Sequence, residues 1–344
     1  MAAFVSECPD EQEMRRNLLE EFRSVTLSQA YHKIWFTLCK GLNEGSRRFP
    51  DQYIDTCSKL WDLLTQSEIP SPVRIMDFGG GTGETTEPIF RKMEALNKQM
   101  FISVEEPHED YLRKYKEIIN NISKASIDIT YSGPFQDYYG HSVEDLRAKK
   151  AYPQHLQDTV LALHVLYHLT SIFDDPFDPY ENMKQAIFAM YAILKPGGQM
   201  VIVLANHAVN IIGSASLKCF EVLFPHTLGN QKLLFEVWQN LLFDGGIADV
   251  LDASFPKFRA IVQQENVVDH VVLPTLAEVG IAASICCLLG LCADKSPFDQ
   301  RVVQFCMDYV KTDGYKHGLY LDSEGMWVFP MKTYYITIQK VAIE

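Results

Sequence analysis

Between Val73 and Leu204, short unbroken apolar runs alternate with stretches in which apolar residues return every third or fourth position. Runs of the first kind fit strands buried on both faces, and stretches of the second kind fit helices with one buried face. The pattern predicts strands over 73–78, 101–105, 127–131, 159–164 and 199–204, with helices over 84–95, 109–122 and 180–194. Lys195-Pro196-Gly197-Gly198 reads as the stop between the last of these helices and the strand after it. Strand and helix in turn make a parallel sheet wound on both faces, an α/β architecture.

On either side the pattern differs. From Glu11 to Leu64 the period is helical, through Leu18 and Phe22, then Tyr31, Ile34 and Leu38, then Leu60 and Leu64, and the glycines and polar residues from Gly41 to Pro50 predict a loop. The regular alternation breaks over 206–260, where Leu217 to Leu242 is helical and where Phe220, Phe224, Phe235 and Trp238 are candidates to cover a pocket. A strand over 261–272, helices within 274–312 and strands near 318–321 and 326–340 follow. The expected organisation is a helical segment over 1–65, an α/β core over 66–205, a lid or insertion over 206–260, and the remainder of the sheet over 261–344.

Composition narrows the partners. A chain of 344 residues with 47% hydrophobic positions can build one large α/β domain. A net charge of -13 argues against a phosphate-backbone partner, so no nucleic acid is expected. The start, with Glu7, Asp10 and Glu11, lacks the basic and apolar regions of a secretory signal, which predicts a cytoplasmic protein. The longest apolar run, Gly280 to Ala293, is too short to span a bilayer, so no membrane association is expected. The eight cysteines show no zinc-spaced pairs and read as buried thiols, and no metal is expected.

The candidate chemistry lies where strand 73–78 runs into Gly79-Gly80-Gly81-Thr82-Gly83-Glu84. Glycines there let backbone amides approach a ligand closely. Glu106, in Glu105-Glu106-Pro107 at the end of the next strand, stands where an acid accepts hydrogen bonds from the ribose hydroxyls of an adenosine-type cofactor. The acidic Glu84 and Glu87 beyond the turn disfavour a pyrophosphate and suit a ligand that carries an ammonium, as S-adenosylmethionine does. The combination resembles motifs I and II of class I S-adenosylmethionine-dependent methyltransferases. That resemblance implies a doubly wound, mostly parallel seven-stranded methyltransferase sheet with S-adenosyl-L-methionine as cofactor.

More narrowly, the layout resembles the histamine N-methyltransferase family in this glycine run, in Val104-Glu105-Glu106-Pro107, in Lys114-Tyr115-Lys116-Glu117, in Leu166-Tyr167 and in Phe329. The resemblance implies that Gly79, Gly80, Gly81, Glu84, Glu106 and Pro107 touch the cofactor. It adds Tyr31, Tyr111, Gln136, Leu163 and His164 as further cofactor contacts. Tyr31, Trp35, Glu44, Tyr167 and His168 become substrate contacts, with Tyr167, His168 and His164 as catalytic candidates. Tyr111 replaces a family glutamine and Met331 a family asparagine, so the acceptor is expected to differ from histamine itself.

The resulting expectation is in-line methyl transfer to a small-molecule amine or imidazole nitrogen by a monomer or weak homodimer. A carboxyl-, O- or S-methyltransferase with Arg47 or Arg48 as acid anchor is the alternative, and a non-catalytic binder is a third class.

Overall fold

The computed structural model describes residues 9–50, 56–65, 68–133, 155–171, 173–291 and 294–343. Its sheet is built from β1 (Val73–Phe78), β2 (Met100–Glu105), β3 (Ala125–Tyr131), β4 (Gln157–Leu163), β5 (Leu194–Ala205), β6 (Phe258–Leu273), β7 (Tyr320–Leu321) and β8 (Trp327–Ala342). The strand order is β3-β2-β1-β4-β5-β8-β6, with β7 paired to β8. Seven strands form the continuous path as expected, and the two-residue β7 makes an eighth. The pairs β1–β2, β2–β3, β1–β4 and β4–β5 are parallel, while β5–β8 is antiparallel.

Position in the sheet explains the strand sequences. β1 is central, and five of its six residues, including the carboxyl-bearing Asp77, are buried. β3 lies at the edge and alternates between half-buried and exposed side chains over its first five residues, 125–129, and its last two are half-buried. The chain winds from β1 through β2 to β3, then returns on the other side of β1 as β4. That reversal opens a crevice beyond the carboxyl ends of β1 and β4, where ligands bind in open α/β sheets.

The described residues divide into two packed units. One takes the chain up to residue 53 with 207–232 and 269–331, and the other takes 54–206, 233–268 and 332–344. The stretch 206–260 is therefore shared between them. In the first unit, α1 (Pro9–Glu20) precedes α2 (Leu27–Arg48). Thr26 caps α2 by accepting the Gln29 amide, and the Gln29 side chain accepts the Thr26 amide in return.

α2 runs through the stretch expected to be a loop. Gly41 and Gly45, one turn apart, lie on its buried face, and a Cβ at Gly45 would sit 1.7 Å from the His270 carbonyl oxygen. The glycines are there for close approach to the end of β6, not to break the helix.

In the second unit, α3 (Thr56–Leu64), α4 (Glu87–Ala95) and α5 (Glu109–Asn120) pack with the sheet. α6 (Pro179–Ala192) is capped by the Asp178 carboxylate, which accepts the Glu181 amide at 2.9 Å. Lys195–Gly198, read above as the stop, belongs to the start of β5, where the β4–β5 register shifts. The helix expected over 217–242 is broken at Phe224-Pro225 into α7 (Ile211–Leu223) and α8 (Leu228–Val237), followed by a wide turn over Trp238–Phe243. The remaining helices are α9 (Ile247–Ser254), α10 (Leu276–Ala283) and α11 (Arg301–Asp313). None of the described helices is long and apolar enough to cross a membrane.

Candidate functional site

At the carboxyl end of β1 the chain turns through Gly79, Gly81 and Gly83, all at positive φ. The turn is tied to the end of β2 by three hydrogen bonds, and a fourth steadies Glu106 itself. The Gly79 amide donates to Glu105 Oε2 at 2.9 Å, and the Gly80 amide donates to the Glu105 carbonyl at 3.0 Å. The Gly81 amide donates to Glu106 Oε2 at 2.9 Å, and Glu106 Oε1 accepts the His108 amide at 2.8 Å. Successive residues leave a strand in opposite directions, so two adjacent acids can serve two different parts of one turn.

The space around the glycines is unequal. A Cβ on Gly79 would collide with Val165, and one on Gly80 with Val104 and Tyr115. A Cβ on Gly81 would meet nothing within 4 Å. The turn is thus packed from behind and open at Gly81. Its rear support is Tyr115 of α5, whose ring lies against Gly80 and Gly83 and whose hydroxyl donates to Asp77 Oδ2 at 2.8 Å.

Three carboxyl groups meet at this point. Burial pushes Asp77 up to about 7, against the hydrogen bonds of Tyr115 and Thr86, and the nearby Glu106 raises it further. Burial likewise drives Glu105 well above the ordinary carboxyl range, against the Gly79 amide, with Glu106 and Asp77 adding to the rise. The sequence reading missed Asp77, Glu105 and Tyr115. The consecutive acids Glu105-Glu106 at a strand end were the available signal.

The end of β4 forms the other lip of the crevice. Leu163 closes the strand, and His164 follows at φ 56, its amide bonded to the Val203 carbonyl at 2.8 Å. Tyr167 and His168 lie in a tight helical turn, Leu166–His168. The Tyr167 hydroxyl donates to the Ala205 carbonyl at 3.2 Å, accepts the Ala205 amide, and lies 3.4 Å from His164 Nδ1. Its ring meets Trp238 edge-on at 5.6 Å, and His168 stands edge-on to it at 6.3 Å. Burial holds His164 down at about 4, so its imidazole is neutral near pH 7.

The structure brings Gly79, Gly80, Gly81 and Glu106 together through the bonds and contacts above. Pro107 is half-buried next to Glu106, and the half-buried Tyr111 ring lies 5.3 Å from His108. Glu84 is exposed in the turn ahead of α4, which starts at Glu87 and not at Glu84 as expected. Gln136 lies outside the described residues.

Tyr31, Trp35 and Glu44 all belong to α2 in the first unit. Tyr31 is buried and Trp35 half-buried. Glu44 Oε1 accepts from Arg47 Nη2 and Arg48 Nε, both at 2.6 Å, and Arg48 also reaches Asp322 at 2.9 Å and Glu324 at 3.0 Å. The two guanidinium groups hold the Glu44 carboxyl down at about 2. A pocket lined by Ile69, Pro70, Asp158, Lys195 and Gly197 opens at the amino-terminal ends of the strands, away from the glycine turn.

Sheet order and glycine turn define a doubly wound α/β fold whose switch point carries the Gly79–Gly83 turn tied to Glu105 and Glu106. No family model and no curated protein matches the chain. Among solved structures, it is similar to loganic acid methyltransferase with SAH, at a TM-score of 0.50 and 9% identity, covering 84% of this chain and 93% of that one. A provisionally assigned methyltransferase from Bacillus halodurans C-125 gives 0.48 and 10% identity over 83% of this chain and 100% of that one. The plantazolicin methyltransferase BpumL, in complex with an analog and SAH, gives 0.42 and 13% identity over 96% and 99%. At these identities the likeness concerns the fold, a mostly parallel methyltransferase-type α/β sheet with flanking helices.

Proposed function

We propose that this chain is an S-adenosylmethionine-dependent methyltransferase that acts on a small-molecule nitrogen of the amine or imidazole type. The observation that carries the reading is the Gly81 position. Its amide is fixed by Glu106, and the direction its Cβ would take is open space at the switch-point crevice. An adenosine-bearing ligand needs this combination of a near backbone and a ribose acid.

Charge supports the choice of ligand. The acidic side chains Glu84, Glu87 and Glu106 stand at and just beyond the turn, which disfavours a phosphate and suits a molecule carrying an ammonium and a sulfonium. A neutral His164 adds no positive charge to oppose it. When bound, S-adenosylmethionine supplies an activated methyl group for in-line displacement. The chain's part is to hold the acceptor in line and keep water away, which is worth about 7 to 11 kcal/mol for well-aligned reactants.

In this reading Leu163 and His164 border the cofactor, and Tyr167 and His168 lie toward the acceptor. The Tyr167 hydroxyl is held by both backbone groups of Ala205, so its role is to fix the shape of the strand end and present a ring face. Tyr31, Trp35 and Glu44 enter as acceptor contacts on the strength of the histamine N-methyltransferase resemblance alone. Glu44, Arg47 and Arg48 are paired with one another, so this ion pair favours neither Glu44 as an amine anchor nor the arginines as the acid anchor of the carboxyl-methylating alternative.

The test is a methyl-transfer screen with labelled S-adenosylmethionine against biogenic amines, imidazoles and small carboxylic acids. Transfer to an amine or imidazole nitrogen supports the proposal. Transfer confined to acids, alcohols or thioethers would replace the acceptor class, and failure to bind S-adenosylhomocysteine would remove the reading as a whole.

A further inference from the structure

Three cysteines far apart in the chain, Cys219, Cys287 and Cys306, meet inside the first unit with their Sγ atoms all within 4.8 Å of one another. They come from α7, from the tight turn Ile285–Cys287, and from α11. The packing that joins them is close. A Cβ on Gly280 of α10 would lie 2.4 Å from Met307 Cα, so α10 and α11 touch backbone to backbone, and the turn that carries Cys287 follows α10 directly. Ser216, one helical turn before Cys219, is 0% exposed, and its buried hydroxyl has no hydrogen-bond partner among the described residues.

We propose that Cys219, Cys287 and Cys306 are the ligands of one thiophilic d10 metal ion, zinc(II) or copper(I), with the Ser216 hydroxyl as the fourth donor for zinc. Sulfurs bound about 2.3 Å from a common ion lie about 3.8 to 4.0 Å apart, so the present cluster needs to contract by less than about 1 Å. Soft thiolates in a dry site select such ions over magnesium or calcium. Each ligating thiol gives up its proton to solvent, and no redox change occurs. Three thiolates leave a zinc complex with a single net negative charge.

Nothing in the chain's spacing announces the site, because its ligands are separated by whole helices and meet only in the fold.

The experiment uses the reduced, chelator-dialysed full chain, titrated with zinc(II), with copper(I), and with cadmium(II) as a spectroscopic probe. One equivalent should bind, with a cadmium–thiolate charge-transfer band and a raised Tm. Cys219→Ser and Cys306→Ser should each weaken binding at least tenfold, whereas Cys39→Ser should not change it. X-ray absorption on the loaded wild-type protein avoids dependence on variants that fail to fold. Three sulfur neighbours at about 2.3 Å support the site for whichever ion gives them. Absence of stoichiometric binding, or a shell of only nitrogen and oxygen, would show a plain cluster of buried thiols.

Discussion

The Gly81 amide donates to Glu106 Oε2 at 2.9 Å, which joins the turn after β1 to the residue after β2. Two residues earlier in the turn, the Gly79 amide makes the matching bond to Glu105 at 2.9 Å. Both acids are buried, and they divide the work: Glu105 holds Gly79, where a Cβ would meet Val165, while Glu106 holds Gly81, where a Cβ would meet nothing within 4 Å.

Removing Glu106 should therefore weaken ligand binding directly. Glu106→Ala is expected to cost about 1.5 to 3 kcal/mol in S-adenosylhomocysteine affinity, the range for hydrogen bonds to a charged group. Calorimetric titration measures it, and a negligible loss would move the ribose contact elsewhere.

Gly81→Arg should abolish the same binding, because the side chain fills the open space in front of the turn. Gly81→Ala is the control. Its Cβ meets nothing within 4 Å, so its main penalty is the positive φ, about 1 to 2 kcal/mol. Equal binding by wild type and the arginine variant would place the ligand elsewhere.

Asp77 ties stability to pH. Its carboxyl is raised in the folded chain to about 7 from an ordinary 3.8, so the folded state holds the proton more tightly than the unfolded one. The stabilisation is complete below about pH 4 and is lost as pH rises through 7. Asp77→Asn should flatten the fall in denaturant midpoint across that window. A decline of unchanged size in the variant would assign it to another group.

At the end of β4, Tyr167→Phe and His168→Ala should reduce turnover more than they reduce S-adenosylhomocysteine affinity. His164 is held at about 4, so it should add no inflection near pH 6.5 to the rate profile. Full turnover in both variants would put the acceptor away from this turn.

Glu44→Gln separates an amine anchor from a surface ion pair. As an anchor, the loss of charge should raise KM for a confirmed amine at least tenfold, with donor affinity unchanged. As a partner of Arg47 and Arg48 only, KM should not move.

The parallel strands are legible in the sequence because burial on both faces leaves continuous apolar runs, as in Val73–Phe78. The glycine turn and Glu106 are legible because a backbone-contact site restricts residue type at fixed offsets from a strand end. The last two turns of α2 are not legible, since Gly41 and Gly45 are typical of loops and only their packing against 270–273 shows why a helix uses them. Asp77 and Tyr115 escape for a related reason. An acid inside a hydrophobic strand acquires meaning only when the hydroxyl that meets it, 38 positions away, is in place.

Tyr115 sits on the far side of the glycine turn from the open crevice, with its ring under Gly80 and Gly83 and its hydroxyl on Asp77. The turn is accordingly stiff before any ligand arrives, and little conformational freedom is left to surrender on association. In a mutational scan scored by ligand capture, position 115 should therefore cluster with the residues that touch the ligand, although its own side chain lies one layer beneath them.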